Sequence, residues 1–187
     1  VLQSGIDRLY PHLVDLLQRG GTLRFLTGDY LGITDPDALQ RLLDLQEHAG
    51  ATRCKLRVFV SSGVSFHPKA YLISQEHGGG AAYVGSSNLS QSALTDGVEW
   101  NLRVSSTRDA LAWQHVGAAF DALFRHPSTV DLDEGWLRGY RAIRQAHLPV
   151  ALQPADATVE LPPPPPVPHA VQSEALTALE STRLAGN

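Results

Sequence analysis

Apolar positions change period several times along the 187 residues. Ile6, Leu9, Leu13, Leu16 and Leu17 recur at helical spacing and predict an amphipathic helix over 6–19, with Ser4 as its cap and Gly20-Gly21 as its stop. Residues 1–5 read as the end of a strand, which places a core strand upstream. Residues 22–27 are apolar enough for a buried strand, so strand, helix and strand form a β-α-β unit that favours parallel pairing. Asp35-Pro36-Asp37 then opens a second helix, to about Leu45, with Asp35 capping and Pro36 at the first helical position. A loop over 46–54 leads to a strand at 56–60, and further strands are expected at 70–73, 83–84 and 98–105, with a helix-forming run ending at Leu94. Helical periodicity returns over 108–124, where Leu111, Val116, Phe120, Leu123 and Phe124 face inward, and over 134–145, carried by Trp136, Leu137, Tyr140 and Ile143. Strands alternating with helices give an α/β class: a mixed sheet flanked by helices on both faces.

Composition sets limits on this picture. A hydrophobic content of 43% suits one globular domain with appendages. The single cysteine, Cys54, excludes an internal disulfide and a Cys-rich zinc site, and it reads as a packed residue. No secretory leader or membrane-length apolar run is visible, so a cytoplasmic protein with no membrane partner is expected. A net charge of -4 does not advertise nucleic-acid binding, although Lys55, Arg57 and Lys69 could form a local basic groove. Five consecutive prolines, 162–166, make a stiff spacer. The expected division is a domain over 1–148, a Pro-rich linker over 149–168 and a new helical segment from 169.

Chemistry concentrates between Phe66 and Asn101. His67 and Lys69 are two positions apart in an extended stretch, so both side chains fall on one face. Burial there would strip them of water with no evident partner, and they are expected to line a cavity. After the strand at 83–84, Gly85 permits a tight turn, and Ser86, Ser87 and Asn88 present hydroxyl and amide groups. Glu99 follows in the next strand. An imidazole, an ammonium, hydroxyls, an amide and a carboxylate suit a phosphodiester. Lys69, Asn88 and Ser86 can neutralise charge on the phosphoryl oxygens. His67 can attack phosphorus to form a covalent phosphohistidine, and Glu99 can hold its second ring nitrogen as a donor. Thr27, Asp29 or Tyr30, at the carboxyl end of the strand over 22–27, could line the same groove. Gly85, Ser87 and Arg57 complete the expected substrate-binding set. The glycines at 78–80 lack the Lys-Ser or Lys-Thr of a phosphate loop, and His77 among them reads as solvated. Trp100 is expected to pack against helices, with base stacking as the alternative. Arg138, Arg141 and Arg144 read as a solvated row that could contact phosphate.

His67-Pro68-Lys69 followed by Gly85-Ser86-Ser87-Asn88 resembles the His-x-Lys and Gly-Ser-x-Asn signature of the phospholipase D superfamily, and Glu99 stands where the superfamily's small bacterial nucleases place a carboxylate. The resemblance covers about residues 20–145. It implies a phospholipase D-like fold and a metal-independent phosphodiesterase with His67 as nucleophile, Lys69, Ser86 and Asn88 on the phosphate, and no cofactor. The Asp that often follows is Ser74 here, which argues against a lipase. The superfamily's active sites use two His-x-Lys motifs, and no other histidine here has Lys two residues later. A homodimer joined through the active-site face is therefore implied.

A second resemblance is shorter. Pro168 to Leu179, with Gln172 and Glu174-Ala175-Leu176, is similar to the adenine-recognition segment that opens superfamily 2 helicase cores. It implies an N-terminal nuclease domain joined to an ATP-dependent helicase, residues 169–187 being the start of the truncated core and ATP and Mg belonging to the remainder. Two functions stay open: an endonuclease domain acting on DNA, or a catalytically inactive DNA-binding and dimerisation module that positions the motor.

Overall fold

A computed structural model describes residues 1–61, 64–76, 78–147 and 170–184. The chain divides into two compact units, Val1–Ala151 and Leu152–Asn187. In the first, helix α1 (Gln3–Gln18) precedes strand β1 (Leu23–Gly28), helix α2 (Pro36–Ala49) and strand β2 (Cys54–Phe59). Strands β3 (Ala70–Ser74) and β4 (Gly80–Gly85), the short helix α3 (Gln91–Leu94) and strand β5 (Asn101–Ser105) follow, then α4 (Ala110–Phe124), β6 (Thr129–Asp131) and α5 (Glu134–His147). The described part of the second unit is helix α6, Ala170–Leu184. The expected spacer and the loop before it lie outside the described residues, as does His77.

The mixed α/β architecture agrees with the sequence pattern, and its strands fall into two three-stranded sheets, β1-β2-β6 and β3-β4-β5. In the first, β1 runs parallel to β2 from Leu23↔Cys54 to Gly28↔Phe59, and β6 is antiparallel to β2. The parallel pair thus forms across α2. Residues 3–5 are already helical, so no strand ends there, and Ser4 sits inside α1 with its hydroxyl accepting the Gln91 N–H at 3.3 Å instead of capping. The second sheet is antiparallel throughout, with Tyr71↔Tyr83 and Tyr83↔Arg103 in register.

Asp35 caps α2 as expected, its carboxylate accepting the Asp37 N–H at 2.9 Å. The helix runs one turn beyond Leu45, to Ala49. Its buried face, Leu39, Leu42 and Leu45, packs with Ile6 and Leu17 of α1, Leu56 and Val58 of β2, and Leu137 of α5. Helix α4 turns Phe124 inward but leaves Leu111 67% exposed, contrary to its periodicity, because Leu111 occupies the first turn. Arg24 of β1 holds the other end of α4 by bonding Asp121 at 2.6 Å and lying over the Phe120 ring.

Two buried groups make stability sensitive to alkali. Burial, with smaller contributions from Asp29 and Asp35 set against Arg144, pushes the Tyr140 phenol up to about 12, and its hydroxyl donates to the Thr34 carbonyl at 2.8 Å. Burial pushes the Cys54 thiol up to about 11. Both shifts favour the neutral form in the fold, so this stability is intact below the ordinary values of 9 for Cys and 10 for Tyr. It is lost as pH rises towards 11 and 12. Urea midpoints should therefore hold steady up to pH 9 and fall above it, with a shallower fall above pH 10 in Tyr140→Phe; a flat profile to pH 11 would contradict this assignment.

Candidate active site

Strands β1 and β2 end side by side, and both run directly into the candidate site. Beyond Gly28 the chain turns through Asp29 and Tyr30; beyond Phe59 it leads to the residues that carry His67 and Lys69 into β3. The period of two holds along this segment. Phe66, Pro68 and Ala70 line an apolar cleft of about 220 Å³ together with Leu26, Val84 and Phe120. His67 and Lys69 take the alternate positions, and their side chains meet. Lys69 Nζ lies 3.4 Å from His67 Nδ1 and donates to the His67 carbonyl at 3.0 Å.

Lys69 makes no ion pair among the described residues, so its charge is available to an anion. An ammonium only donates, so wherever Lys69 bonds Nδ1 that nitrogen accepts and the ring proton is carried by Nε2. His67 is exposed rather than recessed in a cavity.

The second sheet delivers the remaining groups. The Gly85 N–H donates to the Lys69 carbonyl at 3.2 Å and Gly85 pairs with Asn101, so residues 69, 85 and 101 form the last row of that sheet. Ser86, Ser87 and Asn88 lie just past it, and Glu99 just before β5. Gly85 does not adopt a left-handed turn conformation. It is there because β5 comes so close that a Cβ would overlap the Trp100 carbonyl oxygen.

Ser86 and Trp100 are locked together. The Ser86 N–H donates to the Trp100 carbonyl at 3.0 Å, and the Trp100 N–H donates to Ser86 Oγ at 3.0 Å. The Ser86 hydroxyl in turn donates to Glu99 Oε2. Glu99 is thus engaged with Ser86, not with His67 as the sequence suggested, and its backbone precedes the strand instead of lying in it. The Asn88 carboxamide is exposed and has no partner among the described residues.

Several other expected substrate contacts are engaged in holding the fold. Ser87 is buried and its hydroxyl accepts from Asn101 Nδ2 at 2.6 Å. Thr27 is buried beside Thr34, and Asp29 accepts the Ser61 N–H at 2.7 Å, tying the β1 loop to the start of the His67 segment. Arg57 bonds Asp131 and the carbonyls of Phe124 and Thr129 at 3.0 Å or less, and Lys55 stands near the other end of β2, so no basic groove forms from the three cations. Arg141 of the solvated row bonds Asp37 at 3.3 Å.

Sequence reasoning passed over Tyr71. Its hydroxyl donates to the Ser87 carbonyl at 3.1 Å, and burial first, then the charge of Glu99, raises its phenol above the ordinary value, keeping the donor protonated. The signal was available: residues 67, 69 and 71 alternate along one face.

Against this geometry, the family model described as the cardiolipin synthase, PLD-like domain matches residues 6–124. That match spans the β1 loop, the His67 segment, the Gly85 turn and Glu99. The chain belongs to the phospholipase D superfamily. No curated protein matches the sequence. The phospholipase D-like domain fits phosphodiester chemistry in general terms, which accords with a free ammonium and an imidazole presented together at strand ends. Among the described residues no three His, Cys, Asp or Glu side chains converge as metal ligands, and no helix is long and apolar enough to cross a membrane.

Large apolar side chains on the segments that flank the candidate site are exposed. Val98 is 95% exposed, Trp100 87% and Leu31 74%, and Ile33 is also exposed. Trp100 is therefore not packed against helices, because its backbone is held to Ser86 at the outer end of the sheet while its indole points away.

Proposed function

We propose that this phospholipase D-like domain is a metal-independent phosphodiesterase acting on DNA, working as a homodimer through its active-site face. The observation that carries the reading is the unpaired Lys69 ammonium beside the exposed His67 imidazole. An incoming phosphodiester draws Lys69 away from Nδ1 onto a non-bridging oxygen, which frees the ring to move its proton from Nε2 to Nδ1. The Nε2 lone pair then attacks phosphorus, a P–N bond forms, and the P–O bond to the leaving strand breaks. The leaving oxygen takes a proton from His67 of the second copy, which enters the step as an imidazolium protonated on both nitrogens once its own Lys69 has moved to the phosphate. That imidazole, now neutral, deprotonates a water that attacks phosphorus and releases the first His67. The exposed apolar rim of Leu31, Ile33, Val98 and Trp100 supports a second copy covering this face. We propose further that the domain is covalently linked to a helicase core that binds ATP and Mg, on the strength of the segment around Gln172.

DNA is favoured over a lipid substrate by Ser74, which stands at the exposed end of β3 in place of an acid. The inactive positioning module is the second reading, and one observation favours it. With Lys69 on Nδ1, Nε2 is protonated and not yet a nucleophile.

Cleavage of single- and double-stranded DNA in excess EDTA, stopped in a neutral denaturant that spares P–N bonds, separates the two. Chelator-resistant cleavage with a covalent protein–DNA adduct is the expected result. DNA retained without cleavage would favour the positioning module, and a monomer at micromolar concentration by sedimentation would sink the shared site.

A further inference from the structure

The mechanism above leaves one group beside the nucleophile without a role. The ring of Tyr30 meets the His67 imidazole nearly at right angles, 78°, with centroids 5.2 Å apart. Two features indicate that the chain is shaped to make this contact. Leu31, next to Tyr30, is the one non-glycine residue with a left-handed backbone among those described, at φ 56°, and Gly32 follows at φ 62°. Such a conformation is costly for a branched side chain, and Leu31 recovers little by packing within its own chain, being 74% exposed. The left-handed pair follows directly on Tyr30, the residue whose ring meets His67.

The loop is also pinned on both sides of the turn. Asp29 holds the Ser61 N–H at 2.7 Å, the Thr34 hydroxyl donates to the Gly28 carbonyl at 2.8 Å, and Tyr140 holds the Thr34 carbonyl at 2.8 Å. Tyr30 is thus presented from a fixed loop to a side chain on a different segment.

Lys69 alone does not orient the imidazole. It fixes one ring nitrogen at 3.4 Å and, as the substrate's own phosphate ligand, has to leave when substrate binds. At that moment the ring would turn freely about its last side-chain bond, since Glu99 is engaged with Ser86. An edge-to-face aromatic contact restricts the ring plane whichever nitrogen carries the proton. We propose that Tyr30 is a positioning residue that holds the plane of the His67 ring through the exchange of Lys69 for phosphate. The role belongs to the ring and not to the phenol. This inference rests on His67 being the nucleophile.

The test compares Tyr30→Leu and Tyr30→Phe with wild type, using a chromogenic phosphodiester in EDTA and, separately, the NMR signals of the His67 ring protons. Tyr30→Leu should lower kcat about tenfold with KM within about twofold, because aim is lost and phosphate binding is not. Tyr30→Phe should restore kcat. The ring-current displacement of the His67 protons should vanish in the Leu variant and persist in the Phe variant.

Unchanged His67 signals in a folded Tyr30→Leu protein would overturn the inference. So would a Phe variant as slow as the Leu variant, which would transfer the role to the hydroxyl. Absence of turnover by wild type overturns the enzymatic reading, and the NMR comparison then decides the ring contact by itself.

Discussion

His67→Ala is expected to lower the rate of phosphodiester cleavage by about four orders of magnitude or more, the size of loss that follows removal of a nucleophile in covalent catalysis. DNA affinity should stay within about twofold of wild type, because the charge that attracts phosphate sits on Lys69. The side chain is exposed, so the substitution opens no cavity and the domain should remain folded. Single-turnover rates in EDTA beside filter binding would measure both quantities. A residual rate within tenfold of wild type would remove His67 from the reaction. In a dimer with a shared site, mixing His67→Ala with wild type should also produce heterodimers that are inactive, because each site needs both copies of the imidazole.

Gly85→Ala carries the second large effect, and it acts on stability first. The added Cβ would overlap the Trp100 carbonyl oxygen and lie 2.5 Å from Asn101 Oδ1 and 2.8 Å from Asn101 Cα. The Trp100 and Asn101 backbone atoms belong to a paired strand and cannot swing aside as a side-chain tip could. Strand β5 must move off β4, and the two bonds joining Ser86 to Trp100 go with it. Overpacking of this kind costs about 3 kcal/mol. The urea midpoint should fall accordingly, and cleavage should be impaired even at low denaturant because Ser86 and Glu99 lose their seat. A variant as stable as wild type would show that the two strands are not this close.

Much of this domain could be read in advance where local chemistry decides the structure. Asp35-Pro36 announced α2 because a cap and a preset φ act within one turn. His67 and Lys69 were expected to share a face because they are two positions apart, and their side chains do meet. What escaped depends on partners distant in sequence. Strand β6 has three residues, too few for any period, and exists because β2 offers it an edge. The parallel partner of β1 proved to be β2, since pairing is chosen by the sheet as a whole. Arg57 read as a phosphate ligand from its proximity to Lys69, but Asp131, 74 positions away, holds it. Glu99 was expected to orient His67 and is bonded to Ser86 instead. Its bond to Ser86 depends on how closely β4 and β5 approach, which spacing alone does not determine.

The alternation of the His67 segment has a consequence for how the domain can change. Phe66, Pro68 and Ala70 line the apolar cleft, while His67 and Lys69 take the alternate positions and meet each other. Substitutions at the exposed Val64 and Ser65 leave that arrangement intact. Loss or gain of a single residue within Ala70–Ser74 does not, because β3 pairs with β4 residue by residue and hands its register to the row of Lys69, Gly85 and Asn101. Such a change would turn the imidazole and ammonium into the cleft and put Phe66 and Pro68 in their place. The stretch before β3 can therefore drift in composition while the register of β3 stays fixed, and a deletion in that strand would exchange a polar face for a greasy one in a single step.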